Sequence, residues 1–119
     1  MMIDVKLNNT LVVADDMKAS RHFYEEILGL KLKFADGERW AQYGTGSGNF
    51  AIGCAEECPE GLKGAVAVFE VGDLDQMLAA MSIAGIVILE RRDMGAHGRV
   101  ATLADPSGNR LQLFQRLSG

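Results

Sequence analysis

Alternating and helix-spaced apolar residues divide the chain into two similar halves. In the first half, the apolar, β-branched stretch at 7–14 predicts a strand. Asp15-Asp16 predict the N-cap of a helix that runs to about Leu28, and Gly29 has the place of a residue that ends a helix. Glycine-rich turns then separate three further predicted strands, at 30–35, 39–44 and 49–54.

The same order of elements returns in the second half. Residues 65–71 predict a strand, Asp73 predicts the N-cap of a second helix, and Gly85 ends that helix. Four apolar residues have the i, i+3, i+4, i+7 spacing of a buried helix face: Leu74, Met77, Leu78 and Met81. Strands are predicted at 86–91, 98–104 and 110–115. The order is therefore βαβββ twice, joined by a polar linker at 56–64.

A short residue repeat supports an internal duplication of this unit. Ser47-Gly48-Asn49 recurs as Ser107-Gly108-Asn109, sixty positions later. At that offset Ile52 corresponds to Gln112. Each unit has one helix to cover one face of four strands, so the other face of each sheet must be covered by the other unit or by a ligand.

Composition narrows the class of protein. The chain has 119 residues, 48% hydrophobic and 24% charged, which fits one globular domain. We expect module one at about 1–55, the linker at 56–64 and module two at about 65–119. The net charge of −4 argues against binding to nucleic acid or a membrane surface. The first residues lack the features of a signal peptide, so we expect a cytoplasmic location.

Three motifs carry a family resemblance. They are Asp16-x3-Ser20-x2-Phe23-Tyr24-x3-Leu28-Gly29-Leu30, then Val71-Gly72-Asp73-Leu74-Asp75, and finally Asp105-Pro106-Ser107-Gly108-Asn109-x-Leu111-x-Leu113. Together and in this order they resemble the vicinal oxygen chelate superfamily of glyoxalases, extradiol dioxygenases, fosfomycin-resistance enzymes and bleomycin-resistance proteins. The resemblance implies an α+β fold, in which two βαβββ modules form a curved, incomplete barrel around a cup, with one helix per module on the outside. It also implies a homodimer.

The resemblance also implies where a metal would bind. Metal enzymes of this superfamily place His, Glu or Gln ligands on the first and fourth strand of each module. Those positions fall here on Asn9, Val66, Gln112, and either Ile52 or, if the register slips by one, Ala51. Hydrocarbon side chains have no donor atom, and neutral amides are poor ligands for transition metals. We therefore expect no metal and no cofactor.

Strand alternation predicts which side chains line the cup. These are Asn9, Trp40, Gln42, Phe50, Ile52, Val66, Val68, Glu70, Thr102, Gln112 and Phe114. Apolar walls with a few polar groups are typical of small-molecule sites. The alternatives are that Trp40, Phe50 and Phe114 fill the barrel or a dimer interface, and that Asn9 and Gln112 bond to each other.

Two side chains are candidates for acid–base chemistry, although no catalytic residue is identified. Glu70 would have a raised pKa in an apolar cup; alternatively, it lies in water at a strand end. His97, in a glycine-flanked loop, has a suitable ordinary pKa. The sequence favours a metal-independent small-molecule-binding protein that resembles bleomycin-resistance proteins and holds an apolar or aromatic ligand in the cup or dimer groove. The alternatives are a lyase- or isomerase-type enzyme that uses Glu70 or His97, and a structural partner with a filled cup.

Overall fold

The computed structural model describes residues 8–58 and 66–117. Within these residues the first half contains β1 (Thr10–Val13), α1 (Met17–His22), β2 (Lys31–Asp36), β3 (Trp40–Gly44) and β4 (Asn49–Gly53). The second half contains β5 (Ala67–Glu70), α2 (Leu74–Ile83), β6 (Ile88–Asp93), β7 (Arg99–Ala104) and β8 (Arg110–Gln115). Each half is a βαβββ module, as the sequence predicts.

The two modules form two four-stranded sheets with the same topology. The strand orders are β1-β4-β3-β2 and β5-β8-β7-β6. In each sheet the first and fourth strands are parallel and the other neighbours are antiparallel. This α+β arrangement is the predicted fold, and the two sheets are not closed into a barrel. The predicted linker at 56–64 begins with a 3₁₀ turn at Ala55–Glu57. Its remainder, 59–64, lies outside the described residues, so the module boundary stays a prediction.

Both helices begin where the sequence predicts, because an aspartate caps each one. Asp16 accepts a hydrogen bond from the Ala19 N–H at 3.1 Å, and Asp73 accepts one from the Gln76 N–H at 3.0 Å. Helix α1 continues as a π-helical turn, Phe23–Ile27, in which the Leu28 N–H donates to the Phe23 carbonyl. Of the predicted apolar stripe of α2, three residues are buried and Met77 is partly buried; the buried ones are Leu74, Leu78 and Met81.

One face of each sheet packs under the helices and forms the hydrophobic core. Leu111 and Leu113 of β8 are fully buried there, and Ala67 and Phe69 of β5 pack against the same core. The core is continuous between the modules, since the rings of Phe50 and Phe69 meet edge to face at 5.2 Å between centroids. The two modules therefore fold against each other while each keeps its other sheet face uncovered.

A buried hydrogen-bond network ties α1 of module one to the β7–β8 turn of module two. The Tyr24 hydroxyl donates to Asp105 Oδ2 at 2.7 Å, and both side chains are buried. Burial and the Asp105 carboxylate raise the pKa of Tyr24 far above its ordinary value. The Asn109 amide donates to the Val13 carbonyl, and the Asp15 N–H donates to the Ser107 hydroxyl. These contacts give a structural role to two of the motifs that carried the family resemblance.

Candidate functional site

Each sheet has an open face, which we define as the side away from the helices. On module one it carries Leu11, Phe34, Trp40, Gln42, Ala51 and Gly53. On module two it carries Val68, Glu90, Arg92, Val100, Thr102, Gln112 and Phe114. Phe34 and Val68 are each about half exposed, at 52% and 56%. These two faces are the surfaces on which the predicted cup residues were expected.

The prediction that Phe50 and Ile52 face the cup is wrong. Both are buried on the helix side of the sheet, and the Phe50 ring packs 4.9 Å from the ring of Tyr24. The cause is turn length. Paired residues Gly44 and Asn49 enclose four residues in module one, whereas Ala104 and Arg110 enclose five in module two. One missing residue shifts β4 by one position relative to β8, which turns every side chain to the other face.

The corrected register makes Ala51 the counterpart of Gln112. Ala51 pairs with Leu11 on β1, as Gln112 pairs with Val68 on β5. This is the one-residue slip that the sequence left open. Phe50 is accordingly a core residue under the helices, which differs both from lining the cup and from the alternative that it fills the barrel or a dimer interface.

Trp40 is the largest side chain on the open face of module one. It lies opposite Gly53, where an added Cβ would be 3.1 Å from the indole ring. Its indole N–H donates to Gln42 Oε1 at 3.2 Å. With neighbouring side chains it lines a cavity of about 380 Å³, formed by Asn8, Asn9, Phe34, Asp36, Trp40, Gln42 and Glu57.

Four of these lining residues were not predicted from the sequence: Asn8, Phe34, Asp36 and Glu57. A β-bulge between Leu32 and Phe34 shifts the register of β2, so that Phe34 pairs with Gln42 and Asp36 pairs with Trp40. Simple alternation does not reveal such a bulge. One clue is available in the sequence. If β2 pairs with β3, alternate residues of β2 must lie on the same open face as Trp40 and Gln42.

On module two, Gln112 donates to the Thr102 hydroxyl at 3.1 Å. Asn9 of module one donates instead to its neighbour Asn8. The idea that Asn9 and Gln112 bond to each other is therefore wrong. Thr102, Gln112 and Phe114 remain together on the open face, partly exposed.

Glu70 lies at the end of β5 and is exposed to water, which is the alternative to an apolar cup that the sequence left open. Arg116 donates to both carboxylate oxygens of Glu70 at 2.9 Å, and the Glu70 side chain is 50% exposed. This arginine lowers the pKa of the Glu70 carboxyl. The raised pKa expected in an apolar cup is not found, so Glu70 is ionised at neutral pH and is a weak base.

His97, the other acid–base candidate, ends a 3₁₀ turn at Gly95–His97 and is exposed. It is not among the residues that line the 380 Å³ cavity. The structure thus separates the two candidates from that cavity.

The donor atoms at the family's metal positions do not fit a transition-metal site. With the corrected register those positions are Asn9, Ala51, Val66 and Gln112, which offer two neutral amides and two hydrocarbons. Within residues 8–58 and 66–117, no group of three or more His, Cys, Asp or Glu side chains could hold a metal ion. No reaction step through a metal is derived for this chain.

One chain does not bring all the predicted cup residues together. Asn9, Trp40 and Gln42 line the 380 Å³ cavity on module one. A second cleft of about 580 Å³, where β5 meets the β3–β4 turn, is lined by Val66, Val68, Glu70 and Phe50 among others. Thr102, Gln112 and Phe114 lie on the open face of module two, outside both.

Comparison with known proteins places this architecture in a family. The sequence profile of the Glyoxalase/Bleomycin resistance protein/Dioxygenase superfamily matches residues 6–113. The chain therefore belongs to this superfamily, as the three motifs indicated. No match was found among curated proteins. Among the residues that the structure describes, no helix is long and apolar enough to cross a membrane.

Solved structures show the same fold. A lactoylglutathione lyase from Agrobacterium tumefaciens is similar at 17% identity and a TM-score of 0.74, with 94% of each chain covered. A glyoxalase/dioxygenase from Nostoc punctiforme is similar at 19% identity and a TM-score of 0.73, over 95% of this chain and 92% of that one. A superfamily member from Sphaerobacter thermophilus has 18% identity and a TM-score of 0.77, over 97% of this chain and all of the other. At these identities the likeness concerns the fold alone.

Proposed function

We propose that this protein is a metal-independent small-molecule-binding protein, similar in function to bleomycin-resistance proteins. It holds an apolar or aromatic ligand between sheet faces that two copies of the chain bring together. The observation that carries the proposal is that each module leaves one sheet face uncovered, with large apolar side chains exposed on it, Phe34 in module one and Val68 in module two. Contiguous exposed apolar surface on a small protein commonly marks a binding surface.

A homodimer with exchanged modules explains why both faces are open. The 380 Å³ cavity is lined by residues of module one alone, so module two of the same chain does not cover it. Apolar side chains of module two are likewise uncovered, since Val66 and Val68 are 47% and 56% exposed. If module one of one copy faces module two of the other, the predicted cup residues on the two open faces, without Phe50 and Ile52, meet in two equivalent sites. Residues 1–119 then act as one domain with two interacting modules.

Binding without a reaction is favoured over a lyase or isomerase activity. A general base needs a pKa near the working pH and a position beside the reacting atom. Arg116 lowers the pKa of Glu70, and His97 lies away from the aromatic cavity. The amides and hydrocarbons at the metal positions are poor ligands for the metal ion that acts as the Lewis acid in metal-dependent members.

Native mass spectrometry of freshly purified protein tests the dimer and the ligand together. We expect a dimer without a transition metal, carrying a small organic adduct. Val68→Asp should give a monomer, because it places a charge on the open face. Ile83→Asp is the matched control: Ile83 is 89% exposed on α2, so the dimer should persist. A wild-type monomer at micromolar concentration, or one bound transition metal per site, would overturn the proposal.

Mixed cysteine variants distinguish exchanged modules from a side-by-side dimer. Gln42→Cys and Thr102→Cys are placed in separate chains in which Cys54 and Cys58 are replaced by serine, and the two chains are co-expressed. A bismaleimide should join them into a covalent dimer only if module one of one chain faces module two of the other. Each variant alone should stay uncrosslinked. In a side-by-side dimer the mixture would also stay uncrosslinked.

A further inference from the structure

The cavity beside Trp40 has an unusual balance of charge for an apolar site. Its two aromatic side chains are Trp40 and Phe34, and its two charged side chains, Asp36 and Glu57, are both acidic. The remaining lining residues, Asn8, Asn9 and Gln42, carry amide oxygens that can accept hydrogen bonds. Neither lysine nor arginine is among the seven residues that line it. The lining is therefore suited to a positively charged aromatic compound.

Trp40 provides a flat surface within this cavity. One side of the indole rests against Gly53, which has no side chain to hold the ring off the sheet. The hydrogen bond from the indole N–H to Gln42 fixes the rotation of the ring. A ring held in this way can stack on a planar ligand with little loss of side-chain entropy on binding. The face of an indole ring also attracts cations, and it does so more strongly than the ring of tyrosine or phenylalanine.

Asp36 is the acidic group that remains available. Glu57 already accepts hydrogen bonds from the Arg39 guanidinium. In the described part of the chain, no basic side chain lies within ion-pair distance of the Asp36 carboxylate. Asp36 pairs with Trp40 across β2 and β3, and both side chains line this cavity. A cation stacked on Trp40 would thus be next to the Asp36 carboxylate, which forms no ion pair among the described residues but lies within the electrostatic influence of Arg39.

We propose that this cavity binds an organic cation built on two or three fused aromatic rings, with the rings stacked on Trp40 and the positive charge beside Asp36. This inference rests on the proposed function, because it names the ligand class of the same site. In one chain this cavity is a depression that is wide open to solvent, and its volume of about 380 Å³ is in the range of small-molecule sites.

The single tryptophan of the chain makes the test specific to this site. Three probes of equal ring count are titrated against the wild-type protein: N-methylacridinium, neutral anthracene-9-methanol and anthracene-9-carboxylate. Trp40 fluorescence and calorimetry are recorded for each. We expect quenching and the tightest binding for the cation, weaker binding for the neutral compound, and the weakest for the anion.

Three variants test which residues cause the preference for the cationic probe. Asp36→Asn should weaken the binding of the cation about fivefold and leave the affinity for the neutral probe unchanged. An exposed charge pair contributes about 1 kcal/mol at most. Glu26→Gln removes an equal charge from an exposed position outside the cavity and should change neither. Trp40→Ala, measured by calorimetry, should weaken the binding of the cationic and the neutral probe about tenfold or more.

The outcomes separate this inference from the proposed function. Equal binding of the cation and the neutral compound would overturn the preference for cations and leave a general aromatic site standing. An unchanged cation affinity in Asp36→Asn would also overturn it. If none of the three probes quenches Trp40, the inference is wrong, while the dimer and cross-linking experiments still decide the proposed function.

Discussion

The two modules have the same order of elements, yet their open faces carry different chemistry. On module one, Trp40 of β3 pairs with Gly53 of β4; at the equivalent place on module two, Val100 of β7 pairs with Phe114 of β8. Each pair joins a large aromatic residue to a smaller one, but the aromatic residue is on the third strand in one module and on the fourth in the other. The open faces of the two modules therefore differ in outline.

The charges on the two faces differ as well. Asp36 lies on β2 opposite Trp40, whereas Arg92 occupies the equivalent place on β6, opposite Val100. Module two also carries Glu90 and Glu70 on that side of its sheet, so its charges are mixed where the charge of module one is acidic. The comparison shows how a duplicated unit can keep its fold, since the helix side preserves the core, while the open side becomes specialised.

The largest expected effect is a difference in stability between two variants. Each variant changes the turn that joins the second and third strands of its module. Gly98 in the β6–β7 turn has a φ of +99°, and a Cβ there would lie 2.3 Å from the Gln115 carbonyl oxygen. Gly98→Ala should lower the free energy of unfolding by about 3 kcal/mol or more. Gly37→Ala, in the β2–β3 turn, has a φ of +52° and open space around it, so the loss should be about 1 kcal/mol. Urea unfolding measures both; equal losses would contradict the clash.

A second experiment compares a hydrogen bond between the two modules with a hydrogen bond within module one. Tyr24→Phe removes a buried hydrogen bond to Asp105 and should cost about 2 kcal/mol of unfolding free energy. Tyr43→Phe removes the bond to Glu25, whose partly exposed carboxylate can accept a hydrogen bond from water instead, so we expect about 1 kcal/mol. Thermal unfolding followed by calorimetry measures the two values. A larger loss for Tyr43→Phe would show that the contact between modules is the weaker one.

A third variant tests how module one holds its aromatic side chain. Gly53→Ala places a methyl group 3.1 Å from the indole ring and should push Trp40 off the sheet, with a loss of about 1 kcal/mol and a shift of its emission maximum. Gly44→Ala is the control, because its Cβ would make only an ordinary contact of 3.5 Å with the flexible Lys33 side chain. An unchanged spectrum in Gly53→Ala would contradict the placement of the ring.

The smallest effect concerns Glu70 and its pH dependence. Because Arg116 lowers the pKa of Glu70 in the folded state, their contact stabilises the protein above the pKa of the unfolded carboxyl. That stabilisation is lost as the pH falls through the lower, folded-state pKa. Glu70→Gln should therefore be slightly less stable than the wild type at pH 7, and the two should become equal in strongly acidic solution. A difference that grows on acidification would have the wrong sign.

Much of the fold could be predicted from the sequence because its signals are local. Asp16 and Asp73 cap helices at the expected positions, and Leu74, Leu78 and Met81 form the buried stripe. Hydrophobic burial requires only that apolar residues recur with the period of the element, which a single sequence displays. The motif-based resemblance was confirmed by the superfamily match over residues 6–113.

The site was less predictable because strand alternation defines two faces without saying which one is buried. In module two the chosen phase agrees with the structure, since Leu111 and Leu113 face the helix. In module one the Ser-Gly-Asn repeat suggested the wrong phase, because its turn is one residue shorter. The roles predicted for Asn9, Trp40 and Gln112 in binding stay predictions that the experiments above can test.

The sequence by itself determined the two βαβββ modules, the helix caps and the absence of suitable donors at the metal positions, because these depend on residue type and on spacing within one element. Only the tertiary structure decided that Phe50 lies in the core, that Asp36 lies beside Trp40, and that Arg116 neutralises Glu70. Each of these depends on the register between strands or on contacts distant in sequence. Turn length, a β-bulge and the packing of the whole chain determine them.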